Sequence, residues 1–301
     1  MQMKNNFLKS ILVSFLCFFI VEAHSQDQFN FDVTEIQIKE SGNKFIGKKR
    51  GTITSSDGLV INADEFEYDK KLNILKATGK VQIKDKINDY IIFTDKITYI
   101  KKENKILTEK NSIAKNLNNN IEISADNFEY NILENIITAE NKVILQNKIE
   151  DYKIYSEFLS YLRRDEKIFT KGKTTAIINS KYNFETQNLI FYKNSMQLVS
   201  QDKTKLTDKL NIYNFSKFKY LIDEEILKGE KILINSNYKL AKSDKFYFES
   251  AIINLKNADF VAEDTEIFMH KEIFENSDND PRIKGVSSKK EGDITVINKA
   301  V

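Results

Sequence analysis

Beyond residue 25 this chain holds a single histidine, His270, and neither cysteine nor tryptophan. Zinc clusters and nucleophile sets built on Cys-His or Ser-His-Asp need such residues in company, so those chemistries are nearly excluded. His270 by itself reads as an isolated surface histidine. The acids Asp64, Asp95, Asp126 and Glu157 recur at a constant spacing of 31 residues. Paired carboxylates can cleave glycosides, but an acid repeated at every layer fits a corner-capping role through its side-chain oxygen. The nine glycines are scattered singly, with no phosphate-cradling loop. An enzyme, a metal site and a cofactor are therefore not expected. The basic pairs Lys70-Lys71 and Arg163-Arg164 fall between apolar runs, where a solvated surface is the ordinary reading and contact with an anionic headgroup the functional one.

The elements that position these residues follow from composition and periodicity. The chain has 301 residues, 41% apolar and 11% aromatic, enough for a sizeable core. Lys and Arg number 46 against 44 Asp and Glu, so no basic excess points to nucleic acid. At the start, Lys4 and Lys9 precede an apolar run from Ile11 to Val21, and Ala23-His24-Ser25 has the form of a signal-peptidase site. The reading is a signal peptide over 1–25, cleaved before Gln26, because an 11-residue run is short of the roughly 20 needed to span a bilayer. Cys17 lies in that run, so the exported chain would have no disulfide framework.

The stretch "INADEFEYDKKLNILKATGKVQI" at 61–83 returns as "ISADNFEYNILENIITAENKVIL" at 123–145, and 61–99 matches 123–161 at 17 of 39 positions. Followed outward, the register falls on Thr34, Asp64, Asp95, Asp126, Glu157, Gln187, Ser216 and Asp244. Two residues on stand Ile36, Phe66, Ile97, Phe128, Leu159, Leu189, Phe218 and Phe246. Four residues on stand Ile38, Tyr68, Tyr99, Tyr130, Tyr161, Phe191, Tyr220 and Phe248. Eleven on come apolar residues from Phe45 to Leu255, and thirteen on mostly small ones: Gly47, Ala77, Thr108, Ala139, Thr170, Ser200, Gly229 and Asn257. A repeat of this length is one supersecondary unit that needs its neighbours to bury its apolar face.

Within a unit the apolar residues alternate, as in a strand with one buried face. The parity slips by one at each marker, as at a β-bulge or corner that carries the strand onto a second sheet. The expected fold is all-β: an elongated open β-jellyroll of two facing antiparallel sheets, built from about eight repeats of roughly 30 residues over 29–275. Residues 276–301, polar and holding the only proline, Pro281, read as a linker or a truncated continuation. If the sheets gape along one margin, they leave an apolar trough for hydrocarbon chains, lined by Phe66, Tyr68, Ile97, Tyr99, Phe128, Tyr130, Leu159, Tyr161, Leu189 and Phe191. The same residues also read as plain core. The stack would present two raw strand edges, open to strand addition. A structural β-solenoid, such as an adhesin stalk, is the rival reading, with the ladders forming a closed, dry core.

The repeated "ADEFEY...LNILKATGKVQI" and "ADNFEY...ENIITAENKVIL" resemble the organic-solvent-tolerance (OstA-like) repeat of the lipopolysaccharide transport family, shared by LptA, LptC and the N-terminal domain of LptD. The resemblance covers roughly 29–270 and is strongest over 59–161. It implies a periplasmic jellyroll that shields the acyl chains of lipopolysaccharide, docks edge to edge with like-folded Lpt proteins by β-strand augmentation, and draws its energy from a partner at the inner membrane. The eight units and the "DPRIKGVSS" tail are most like the N-terminal region of LptD. That implies an outer-membrane barrel and its plug lipoprotein as partners and association with the outer membrane. No membrane-strand pattern and no cysteine of the exported chain matches that member's barrel or disulfides.

Overall fold

The computed structural model describes residues 29–240, 243–270 and 281–301. The expected signal peptide at 1–25 lies outside the described residues. The described chain forms 24 strands and a few single-turn 3-10 segments, and every strand pairing is antiparallel.

The first strands show the construction. β1 (Phe29–Lys39) pairs along its length with β2 (Lys44–Ser55). β2 then pairs through one half with β3 (Leu59–Ala63) and through the other with β4 (Glu65–Asp69), and both of these pair with β5 (Ile74–Asp85). β3 and β4 are thus one rung, broken at Asp64, whose halves lie in two different sheets. Six rungs are broken in this way and the others run through the bend, so the 24 strands make 18 rungs. At about 4.8 Å per rung the stack extends on the order of 80 Å.

The bend has a consistent backbone cause. The outgoing strand spends one residue at the corner and the returning strand two, which shifts the register between Val33 and Glu35, between Thr78 and Val81, and between Glu140 and Val143. The two extra residues adopt left-handed φ in Lys49-Arg50, Gly79-Lys80, Lys110-Asn111 and Asn141-Lys142. That is a bulge that bends the strand and re-phases its side chains, so both halves face inward. At Gly79 φ is +79°, and an added Cβ would lie 2.6 Å from the Asp64 Oδ2. Gly172 sits at the equivalent bend with φ +75° but with open space around it. Gly172→Ala is expected to cost about 1 kcal/mol from its φ alone. Gly79→Ala should cost clearly more, in urea unfolding of the two variants side by side.

Small residues stand on the return strands beside the corner. Opposite one another, next to the corner, run Phe66 and Ala77, Ala77 and Ile97, Ile97 and Thr108, Phe128 and Ala139, Ala139 and Leu159, and Leu159 and Thr170. Large residues on outgoing strands alternate with small ones on return strands, which fills a narrowing space without overlap. Buried hydroxyls at the bend satisfy one another: Thr170 with Thr174 at 2.7 Å, Thr108 with Ser112 at 2.6 Å, and Thr186 with Thr204 at 2.7 Å.

Two expectations are corrected here. The eighth unit is displaced by five residues. Ala251 lies opposite Gly229 and Ile253 opposite Leu227, so Glu249, not Asp244, stands at the bend. Phe246 and Phe248, expected in the second sheet, pair with Ile234 and Ile232 in the first. The connection after Asn235 is longer than its counterparts, and period-2 alternation does not distinguish the two halves of a rung. Second, the tail is not a linker throughout: strand Arg282–Glu291 pairs with Asp259–Phe268, and Ile294–Asn298 pairs with it in turn, extending the stack by two rungs.

Candidate functional site: the clasped interior

The ten residues expected to line a trough all lie in the second sheet and face inward. Each is at most 6% exposed. From Tyr68 their outer column runs through Tyr99, Tyr130 and Tyr161, each flanked across the strands by aliphatic partners such as Leu75, Ile106 and Ile137. Facing them from the first sheet is a second aromatic set that the sequence reading did not single out. Tyr90 meets Tyr130 with ring centroids 6.1 Å apart, Tyr152 meets Phe191 at 5.0 Å, Tyr182 meets Tyr220 at 5.8 Å, and Phe184 stacks on Phe218 at 5.3 Å. The signal was present: Tyr90, Tyr152 and Tyr182 each stand five residues before a register marker.

The interior is therefore filled by side chains. It reaches solvent at the N-terminal end of the stack, where Ile36 and Ile38, on inward positions of the first rung, are 44% and 61% exposed. Among the described residues β1 pairs only with β2, which leaves its other side as a strand edge.

Opposite the corner, the two sheets end in separate rows of turns, and side chains alone bridge the rows. First-sheet turns are closed by Asp85, Asn116, Asn147 and Asp208, whose side-chain oxygens accept backbone N–H groups two and three residues on. Second-sheet turns end in a left-handed residue, Asn73, Asn104, Asn135, Glu166 or Met196, and successive turns are laced by backbone bonds such as Lys101 N to Asn73 O at 3.0 Å.

Across the gap between the rows runs a series of polar clasps. The Tyr99 hydroxyl donates to Asp57 Oδ2 at 2.7 Å, and Lys101 Nζ stands 2.7 Å from the same atom. The Tyr130 hydroxyl donates to Asp85 Oδ2 at 2.6 Å. Arg163 donates to the Asn88 carbonyl with its guanidinium 4.9 Å from the Tyr90 ring centre. Lys193 lies 3.7 Å from Glu150, and Glu225 accepts from Lys181 at 3.0 Å and from the Tyr182 hydroxyl. In each clasp the second-sheet partner lies further along the stack than the first-sheet turn it meets, the stagger that the twist of facing sheets produces.

Two of these clasps differ from the ion pairs on the outer faces, whereas Lys181, 45% exposed, resembles them. The side chains of Lys101 and Lys193 are 12% and 14% exposed, whereas Lys96 and Lys217, in cross-strand pairs with Glu109 and Glu230, are 41% and 45% exposed. Outer pairs of that kind contribute little; the partly buried ones are screened less.

Burial alone would raise the Asp57 carboxyl, but hydrogen bonds from Lys101, Ser55 and Tyr99 outweigh it and hold the group below the usual carboxylate range. The Tyr182 hydroxyl holds Glu225 low against a smaller opposing effect of burial, with Lys181 adding to the lowering. Burial first, and then the bond to Asp57, pushes the Tyr99 phenol up, so it stays a donor at any ordinary pH. A carboxyl whose folded pKa is depressed stabilises the fold above its unfolded pKa of about 3.9, and loses that contribution as pH falls through the folded value. The native chain is expected to lose Tm below about pH 4, with Asp57→Asn lower at pH 7 and less sensitive to acid, read by circular dichroism melts across pH 2–7.

The register acids behave as corner groups. Asp64 accepts from Arg50 at 2.9 Å, Asp95 from Asn111 at 2.8 Å, Asp126 lies 3.3 Å from Lys142, and Glu157 accepts the Lys142 backbone N–H at 3.3 Å. Each acid thus faces a left-handed pair on a neighbouring return strand, the preceding one for Asp64 and Glu157 and the following one for Asp95 and Asp126. His270 is not a free surface group: it is half-buried, with its Nδ1 2.8 Å from Asp244 Oδ1. Among the described residues no cluster of three metal-ligating side chains occurs, and no helix is long and apolar enough to cross a membrane. A hollow of about 820 Å³ lies on the outer face of the second sheet, lined by residues such as Val199, Lys219, Ile252 and Val261, and is separate from the interior.

No family model and no curated protein matches this chain. Among solved structures it is similar to LptH from Pseudomonas aeruginosa, described as the LptA-homologous periplasmic component of the conserved lipopolysaccharide transport device. The identity is 8%, the match covers 40% of this chain and 94% of that one, and the TM-score is 0.36.

Proposed function

We propose that the chain is a non-enzymatic periplasmic carrier of lipopolysaccharide, which shields acyl chains between its two sheets and docks edge to edge with like-folded partners. The observation that carries this reading is the interior itself: an apolar and aromatic column running from Phe29 to Ile267, joined by backbone at one corner and held by side-chain clasps at the other margin. Such a margin can part without breaking a β-ladder. Phe66, Tyr68, Ile97, Tyr99, Phe128, Tyr130, Leu159, Tyr161, Leu189 and Phe191 would then form one wall of the path, with Tyr90, Tyr152, Tyr182 and Phe184 opposite. The exposed Ile36 and Ile38 mark an end where the path meets a neighbour, and the free side of β1 supplies the strand edge for it.

The repeat text supports placement in the lipopolysaccharide transport family. Within it, the number of units and the polar tail favour a likeness to the N-terminal region of LptD, with an outer-membrane barrel and its plug lipoprotein as partners. A structural stalk is the second reading, and the full burial of the ten wall residues favours it. The two readings differ in one measurement. With the full chain, a fluorescent fatty-acyl probe such as cis-parinaric acid is expected to gain emission and to be displaced by lipopolysaccharide. A folded chain that leaves the probe dark is a stalk.

A further inference from the structure

The outer face of the second sheet carries a feature that neither a carrier nor a stalk uses. In the C-terminal half, one column of outward side chains crosses five rungs in direct cross-strand register: Val199, Lys219, Lys228, Ile252 and Val261. The column forms the floor of the hollow of about 820 Å³. Lys219 and Lys228 stand directly opposite each other, and neither makes an ion pair or a hydrogen bond among the described residues. Like charges so placed destabilise a ladder. Elsewhere on the same sheet a lysine is met by an acid on the next strand: Lys76 by Glu67, Lys96 by Glu109 and Lys217 by Glu230. The two acids that line the hollow are already engaged, Glu230 by Lys217 at 2.6 Å and Glu263 by Ser250 at 3.0 Å. Next to the lysines, Ile252 and Val261 stand opposite each other, 47% and 54% exposed. Two uncompensated cations beside two exposed aliphatic side chains make this floor complementary to a partner that is both acidic and apolar.

We propose that this hollow docks an acidic amphipathic helix of a partner protein, lying along the stack axis and across the strands. Its carboxylates meet Lys219 and Lys228, and its aliphatic residues, further along the same face, cover Ile252 and Val261. The conformation of the occupant follows from the site. Each strand of the floor is flanked by ladders on both sides, so a segment laid on this face finds no backbone partner there. It must arrive with its own backbone bonds closed, as a helix does. From Lys219 to Val261 is three rung spacings, about 14 Å, or roughly nine helical residues at 1.5 Å each. Acidic and aliphatic anchors at i, i+3 or i+4 and i+7 of one helix face match that length. The described chain has no helix longer than a single 3-10 turn that could cover the face itself. The proposal does not rest on the carrier reading, since the hollow lies outside the interior and a carrier and a stalk present it alike.

The test is fluorescence anisotropy with the full chain and three labelled peptides of about 18 residues, long enough to hold a helix. One carries Glu and Leu anchors on a single helical face, the second has Lys in place of each Glu, and the third is the first composition scrambled. The native chain is expected to bind the acidic peptide at least about tenfold more tightly than either of the others, with the preference over the basic peptide shrinking as salt rises. Lys219→Glu with Lys228→Glu should reverse the preference toward the basic peptide, an outcome that loss of folding cannot produce. Ile252→Ser with Val261→Ser should weaken binding of the acidic peptide while keeping the sign of the preference. Lys84→Glu with Lys153→Glu, on the outer face of the first sheet, should leave the affinities unchanged. Equal affinity of the native chain for the acidic and basic peptides overturns the site and needs no variant to fold. An acidic preference that survives the charge reversal overturns it as well. Sedimentation of the native chain as a dimer that the reversed variant loses, with no peptide bound, also overturns it and gives the face to a second copy. None of these outcomes bears on whether lipid enters between the sheets, so the carrier reading stands or falls separately.

Discussion

Phe184→Ala is expected to lower the unfolding free energy by about 3–5 kcal/mol, the usual cost of emptying an aromatic site in a packed core. Phe184 is fully buried in the first sheet, stacks on Phe218 at 5.3 Å and lies 5.1 Å from the Tyr220 ring centre, so its loss removes two aromatic contacts between the sheets. Because each rung pairs only with its neighbours and packs across the interior against rungs a few places along, the damage should stay local. Hydrogen exchange is expected to speed up in Tyr182–Gln187, Thr204–Thr207 and Lys217–Leu221 and to remain slow in Ile74–Asp85 and Tyr90–Ile100. Exchange that accelerates uniformly along the chain would mean that the stack unfolds as a single unit.

Asp85→Ala should be nearly as costly, about 2–4 kcal/mol. This carboxylate is 4% exposed and accepts four hydrogen bonds: from the backbone N–H groups of Ile87 and Asn88, from Asn88 Nδ2, and from the Tyr130 hydroxyl across the margin. Alanine leaves the buried phenol of Tyr130 without its acceptor and opens the turn at once. Asp85→Asn keeps an acceptor for the turn and should recover most of the loss; Asn116 and Asn147 do the same work in the next two first-sheet turns. Urea unfolding of the two variants against Tyr130→Phe separates the turn from the clasp, since Tyr130→Phe removes only the latter.

Most of the architecture was legible in the sequence, because the same physical demand recurs in every unit. A rung that bends needs a parity slip, and the slip shows as apolar residues one and three before the marker and two and four after it. The small residues at the thirteenth position were visible as a pattern without a reason, which the structure supplies: they stand beside the bend, from Gly47 and Ala77 to Gly229. Reading failed where one unit changed length. The long connection after Asn235 let Phe246 and Phe248 imitate the pattern of the opposite sheet, and only pairing with Ile234 and Ile232 reveals the shift. The linker reading of the tail fails, while that of a continuation stands, for a related reason: a rung near the end of the stack such as Arg282–Glu291 buries little, so its sequence carries few apolar residues.

The margin was the least legible part. Tyr99 and Asp57 are 42 residues apart, Tyr130 and Asp85 are 45 apart, and Arg163 and Asn88 are 75 apart. Such pairs arise from the stagger of twisted sheets, which no local pattern encodes. The basic residues of the second-sheet turns were visible as surface charge. Their partners across the gap were not, nor was the burial that sets Lys101 and Lys193 apart from the outer lysines.

The central claim is that acyl chains occupy the space between the sheets. Its most direct test places a photocrosslinking residue at Phe128 in one sample and at its outward neighbour Glu129 in another, within the folded full chain, and exposes both to lipopolysaccharide. Phe128 faces the interior and Glu129 the solvent, where it pairs with Lys105 at 3.0 Å. Lipid captured at 128 and not at 129 is the predicted result. Capture at neither position, or at 129 alone, by a protein whose melting curve shows it folded, would contradict the account and leave a closed structural stack.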